Sequence, residues 1–241
     1  MKILSIECSA TPCSVAIIED GKIIASSFVN VKLTHSQTLM PMLENILKSA
    51  MININDIDAF AVSNGPGSFT GIRIGISAIK GLAAPNKKQC VGVSTLRSMA
   101  ENFKNTNCVV CAVMDARCNQ LYNALFSVKN GEIERLCEDR AILCEELKEE
   151  LSKLESNNII IVGDGADVFY PCVRDNKNII LSDIKSRYQN AVGVGFVAEE
   201  LINTGNSLSP NELLPVYLRL PQAERELKSK GETKNENCNR L

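Results

Sequence analysis

One series of elements runs twice along this chain, and that repetition limits the fold more than any single motif does. Ile3–Ile6 and Ser14–Ile18 read as apolar strands around the turn Glu7-Cys8-Ser9-Ala10-Thr11-Pro12, and Asp20-Gly21 is a hairpin signal leading into a third strand, Ile23–Val29. A helix follows Thr34-His35-Ser36, with Leu39, Leu43, Ile46, Leu47 and Ala50 on one face, and then a strand, Ala59–Val62, that ends in a glycine-rich turn. After a short strand, Cys90–Val93, and a helix from Ser94 or Thr95 to Asn102, the series starts again at Val109. The strand Val109–Met114 ends on Asp115 as the first ended on Glu7, and the next strand, Leu121–Val128, meets Asn130-Gly131 where Asp20-Gly21 stood. A third strand near Ile133–Cys137, a helix Glu145–Leu154 and the strand Ile159–Val162 before Gly163-Asp164-Gly165 complete it, with a strand near Ile179–Leu181 and a helix of about Asn190–Asn203 beyond. Duplication at this scale predicts two similar α/β domains. They are placed at 1–104 and 105–225, divided near Lys104-Asn105-Thr106, and the polar run 226–241 is expected to be a disordered tail.

The longest glycine-rich stretch is Gly65-Pro66-Gly67-Ser68-Phe69-Thr70-Gly71-Ile72-Arg73-Ile74-Gly75, a strand-to-helix turn. Such a turn either packs a helix tightly or aims backbone N–H groups at an anion. Ser68 is accordingly an N-cap or an anion contact. The helix that follows carries apolar or small residues over roughly two-thirds of its circumference, with Arg73, Ser77 and Lys80 as its polar stripe. Gly71, Gly75 and Ala78 follow one another at helical spacing, and glycine costs about 1 kcal/mol per helical position. That cost predicts a close approach by another body. Met40 and Met51 likewise widen the apolar stripe of the first helix beyond a core face. These residues, with His35 and Ile74, are the candidate partner interface.

Composition excludes several chemistries. Aromatic residues make up 5% of the 241 residues, tryptophan is absent and net charge is −2, which argues against base-stacking platforms or a basic groove for nucleic acid. No apolar run approaches the length of a membrane span. The ten cysteines are scattered through apolar runs and are expected to be reduced thiols in a cytoplasmic protein. His35 is the one histidine, so no chelating pair exists, and Cys108 and Cys111 sit three apart in a strand and should point to opposite faces. No metal and no cofactor are therefore expected. Ser68 does not fit the Gly-x-Ser-x-Gly elbow, and the two turns Glu7–Ala10 and Asp115–Cys118 lack the glycines that would cradle a triphosphate. Arg117 is either a phosphate or carboxylate partner or an exposed turn arginine in a local ion pair. With Ser68 and Arg73 it forms the candidate anion site. No catalytic constellation emerges.

The Ile-Glu-Cys-Ser start, His35-Ser36-x-x-Leu39-x-Pro41, the stretch Gly65–Gly75, Lys80-Gly81-Leu82-Ala83, Asp115-Ala116-Arg117…Tyr122, Gly163-Asp164-Gly165 and Tyr217-Leu218-Arg219 together resemble the bacterial TsaB (YeaZ) family. The resemblance implies the duplicated actin/Hsp70/sugar-kinase-like (RNase H-like) fold. It also implies a place in the machinery that puts threonylcarbamoyl on adenosine 37 of tRNA. There such proteins are regarded as the non-catalytic scaffold: a homodimer when alone, they bind the TsaD-type catalytic subunit and are joined by a TsaE-type ATPase. Contact with tRNA is expected only through the complex. TsaD holds its metal with a His-x-x-x-His pair, and the corresponding places here fall at about Thr95 and Met99. Glu7 stands where family members often have Asp. The alternative is an enzyme of the same superfamily, peptidase-like or an acyl or sugar kinase.

Overall fold

In the computed structural model, which describes residues 1–219, the repeat appears as two five-position sheets of the same strand order. The first contains β1 (Lys2–Glu7), β2 (Cys13–Glu19), β3 (Lys22–Val29), β4 (Ala59–Gly65) and β5 (Gln89–Ser94), in the order β3-β2-β1-β4-β5. The second contains β6 (Cys108–Asp115), β7 (Gln120–Lys129), β8 (Glu132–Arg135), β9 (Arg140–Leu143), β10 (Ile159–Val162) and β11 (Ile179–Leu181), in the order β11-β10-β6-β7-β8. In each, a hairpin runs antiparallel and the next two strands are parallel. This is the expected duplicated actin-like α/β fold.

The copies differ at one edge. β8 covers only Phe126–Lys129 of β7, and β9 takes the other half by pairing Gln120↔Leu143 through Asn123↔Arg140. Two short strands thus stand where β3 is one. The third strand expected as far as Cys137 stops at Arg135.

Helices cover both faces of each sheet, which is why β1, β2, β6 and β7 are buried almost throughout rather than at alternate residues. On the first sheet, α1 (His35–Ala50) and α2 (Phe69–Ala83) bury Leu43, Ile46, Ile72 and Ile79 against Leu4, Ile6, Phe60 and Val62. On the second, α4 (Cys144–Ser152) and α5 (Ala166–Val173) bury Leu147, Leu151 and Phe169 against Val113, Leu121 and Ile161. The remaining faces are filled crosswise. The early helix α3 (Thr95–Ala100) packs Leu96 and Met99 on the second sheet, against Val110, Ala124 and Phe126. Beyond the short α6 (Ile184–Arg187), the late helix α7 (Ala191–Asn203) packs Val194, Val197 and Ala198 on the first, against Ile3, Ala61 and Val93. The two helices touch each other and form a central layer.

The chain also returns to the first sheet after α7. Cys90 and Leu208 exchange backbone hydrogen bonds, both 2.8 Å, and Leu213 is buried in the first core. Residues 191–213 thus add to the cores of the first sheet although they lie far beyond the division expected near Lys104. The proposed boundary at 225 and the tail 226–241 lie outside the described residues.

Candidate functional site: a cleft and the helix beside it

The turns that end β1 and β6 face a common cleft of about 820 Å³, lined among others by Ser9, His35, Ser68, Arg73, Arg117 and Asp164. Its first wall is tightly built. The Glu7 side chain is wholly buried and accepts from the Ser9 N–H at 2.6 Å and from the Ser63 hydroxyl, which ties the turn to β4. Burial pushes its carboxyl up, while Ser63 and Ser9 act in the other direction. Ser68 donates its N–H to the Ser9 carbonyl at 2.7 Å, so the glycine-rich turn is laced to the first one.

The expected site residues fall into separate groups. Ser68 is the N-cap of α2, its Oγ accepting from the Gly71 N–H at 3.3 Å. Arg73 is exposed, donates from Nε to the Tyr217 hydroxyl at 2.7 Å and lies over both rings of a Phe69–Tyr217 stack with centroids 4.2 Å apart. Arg117 lies on the opposite wall in a left-handed turn, φ 62°, with its N–H donating to Asp115 at 2.7 Å. At the floor, Gln189 donates to Asp164 at 2.5 Å, and burial pushes the Asp164 carboxyl up to about 6.

The glycine strip turns inward. Gly71 and Gly75 are buried on their own sheet: a Cβ at Gly71 would collide with the Cys8 carbonyl, and one at Gly75 would meet Val62 at 3.0 Å. Their close approach is to this chain's own strands, because α2 sits directly over the end of β1. The outward face of α2 is one step round, with Arg73, Ser77 and Gly81 exposed and Ile74, Ala78 and Leu82 half-buried. A Cβ at Gly81 would meet open space. On α1, Met40 is exposed and Met51, its C-cap, is 93% exposed. His35 points elsewhere, into the turn after β1, with its Nε2 2.8 Å from the Ala10 carbonyl.

That turn also holds a cluster which counting histidine pairs missed. Cys8, Cys13 and His35 bring their sulfur and nitrogen atoms within 4.8 Å of one another, and the two sulfurs are 3.8 Å apart. The thiol of Cys8 interacting with it, and His35 beside it, hold the Cys13 thiol down to about 5. Cys13 in turn raises His35 above the ordinary imidazole value. The available signal was the hairpin register: Glu7 pairs with Ser14, so the next residues, Cys8 and Cys13, are neighbours across the turn. Cys108 and Cys111 do face apart, one in each core of the second sheet.

Thr95 and Met99, the positions at which the resemblance led a histidine pair to be sought, are buried in α3 at 0% and 1% exposure. Among the described residues no helix is long and apolar enough to cross a membrane.

Known proteins share this plan. A family model described as TsaD, tRNA N6-adenosine threonylcarbamoyltransferase, matches residues 29–226. The tRNA threonylcarbamoyladenosine biosynthesis protein TsaB of Escherichia coli is 33% identical over 95% of this chain and 100% of its own length. TsaB of Bacillus subtilis is 26% identical over 93% and 96% respectively. The solved structure of YeaZ from Pseudomonas aeruginosa superposes with a TM-score of 0.76 at 25% identity, covering 90% of this chain and 99% of that one. One third identical to a TsaB protein along nearly its whole length, and superposing on a solved YeaZ, this chain belongs to the TsaB (YeaZ) family.

Proposed function

We propose that this protein acts in the biosynthesis of threonylcarbamoyladenosine in tRNA as a non-catalytic subunit that binds and supports a TsaD-type transferase. The observation that carries the reading is the similarity to TsaB proteins over almost the whole chain, none of it confined to one motif. Two features of the molecule support the division of labour. Thr95 and Met99 offer a hydroxyl and a thioether, both buried, where the resemblance puts the metal-binding histidines of TsaD. The outward face of α2 offers Ile74, Ser77, Ala78 and Gly81, an apolar and small-residue strip on which another helix can approach closely.

The same face serves a homodimer when the protein is alone and is exchanged for the TsaD-type partner, whose similar fold makes the heterodimer pseudo-symmetric. A TsaE-type ATPase joins that pair, and tRNA is reached through the complex in the cytoplasm. The test is reconstitution with the TsaD-type and TsaE-type proteins of the same organism, a threonylcarbamoyl donor and unmodified tRNA. Modification that depends on this chain, and co-elution with the TsaD-type subunit, are expected. Undiminished modification in its absence would overturn the proposal.

A further inference from the structure

We propose that Cys8 Sγ, Cys13 Sγ and His35 Nδ1 form a binding site for a thiophilic divalent cation, zinc above all. The three residues come from different elements: Cys8 follows β1, Cys13 opens β2 and His35 opens α1. Hairpin register sets the first two across from each other, and α1 lays the third over them. Their sulfurs are 3.8 Å apart. In a tetrahedral site with Zn–S bonds of about 2.3 Å, the sulfur–sulfur edge is about 3.8 Å. The thiol pair is therefore already spaced for the metal.

The imidazole is oriented for the same purpose. Its Nε2 is 2.8 Å from the Ala10 carbonyl, which can only accept, so Nε2 carries a proton. That leaves Nδ1 as the ligand atom, and Nδ1 is fully buried with no hydrogen-bond partner in the structure. A ligating histidine that donates its other N–H to a backbone carbonyl is the arrangement that fixes the tautomer at zinc sites. One nitrogen of the ring lies within 4.8 Å of both sulfurs, against about 3.6 Å in a closed site. A movement of the ring toward the two sulfurs completes the site.

Room for this ring is provided by the absence of a side chain at Gly71, where a Cβ would stand 3.2 Å from His35 Cδ2. Cys8 and Cys13 are 1% and 2% exposed, and His35 lines the cleft, so the cation enters from the cleft past the imidazole. Binding displaces to solvent whatever protons the thiols and the imidazole Nδ1 still hold and leaves one coordination position for water. The site lies directly under the first turn of α2, and an occupied site would tie β1, β2 and α1 together at the cleft wall.

The experiment uses the full reduced chain, titrated with zinc against a chromophoric chelator and, separately, with cobalt. One equivalent of zinc is expected, together with a cobalt spectrum showing thiolate charge-transfer and tetrahedral d–d bands. Cys13→Ser and His35→Gln should each weaken zinc binding at least ~10-fold, the loss that disturbing even an outer-shell partner brings. Cys118→Ser, at an exposed cysteine away from the site, should leave it unchanged. Absence of a thiolate–cobalt band in the unsubstituted chain overturns the proposal, whether or not the variants fold. So does a Cys8–Cys13 disulfide in peptide mass spectra with no metal bound, or zinc affinity that the Cys13 and His35 variants retain.

Discussion

Replacing Asp164 by asparagine should make this protein more stable at neutral pH, and the size of the gain should depend on pH in a defined way. Asp164 follows β10 at the floor of the cleft, and burial raises its carboxyl from an ordinary 3.8 to about 6, with Asp115 and Glu7 adding repulsion. The folded state therefore holds this proton more tightly than the unfolded chain does. Its contribution is favourable at low pH and is lost as pH rises from the unfolded value through the folded one. At ~1.36 kcal/mol per pH unit, the interval from 3.8 to about 6 corresponds to a cost of about 3 kcal/mol in full. That figure is an upper bound, because the carboxyl keeps part of its surface in the cleft. An amide of the same shape carries no such cost. The Gln189 Oε1 has no hydrogen-bond partner in the structure, so turning the Gln189 amide lets it accept from the new group. Thermal melts of Asp164→Asn and the unchanged protein, followed by circular dichroism from about pH 4 to 8, measure the difference. Asp164→Asn should match the unchanged protein near pH 4 and gain up to several degrees in Tm above pH 6, at ~2–4 °C per kcal/mol. A difference that does not vary with pH, or a loss at pH 8, would refute the reasoning.

Gly71→Ala should lower stability by ~1–3 kcal/mol, since its Cβ collides with the Cys8 carbonyl; an unchanged Tm would show that α2 does not lie so close to the first turn. Ser68→Ala should cost about 1 kcal/mol through loss of the cap on Gly71, read from denaturant midpoints, and no loss would remove the cap from the account. Phe169→Ala, at 0% exposure in the second core, should cost ~3–5 kcal/mol, and a cost below 1 kcal/mol would contradict the packing of α5.

The succession of strands along the chain was legible because its signals are local. Asp20-Gly21 and Asn130-Gly131 take the positive φ angles that their hairpins need, and the apolar runs between them mark sheets covered on both faces. The helix α5 was not legible: Pro171 interrupts it, and eight residues give too few turns for a periodicity to show. Nor could spacing say that α3 and α7 cross to the opposite sheets, because an apolar helix has no sequence mark for which sheet it meets. The helix α2 was half legible. Its small residues did signal close approach, but Gly71 and Gly75 answer to β1 and β4, and only Ser77, Ala78 and Gly81 are left on the outer face. The Cys8–Cys13–His35 cluster joins residues up to twenty-seven positions apart and needed the hairpin register to be carried one pair further.

Gly81→Arg gives the most direct measurement of the central claim, association with a TsaD-type subunit through the outer face of α2. A side chain at Gly81 meets nothing within 4 Å in this chain, and leaving glycine favours the helix by roughly 0.5–1 kcal/mol. The arginine also lies in the last turn of α2, where a cation suits the helix dipole. The fold should therefore be kept or strengthened while a charged, bulky group is placed where a partner helix would lie. Isothermal titration calorimetry against the TsaD-type protein of the same organism should show binding by the unchanged chain and a loss of at least ~2 kcal/mol, about 30-fold in Kd, for Gly81→Arg. Binding of equal strength by the two proteins, with Tm unchanged or raised in the variant, would contradict the account.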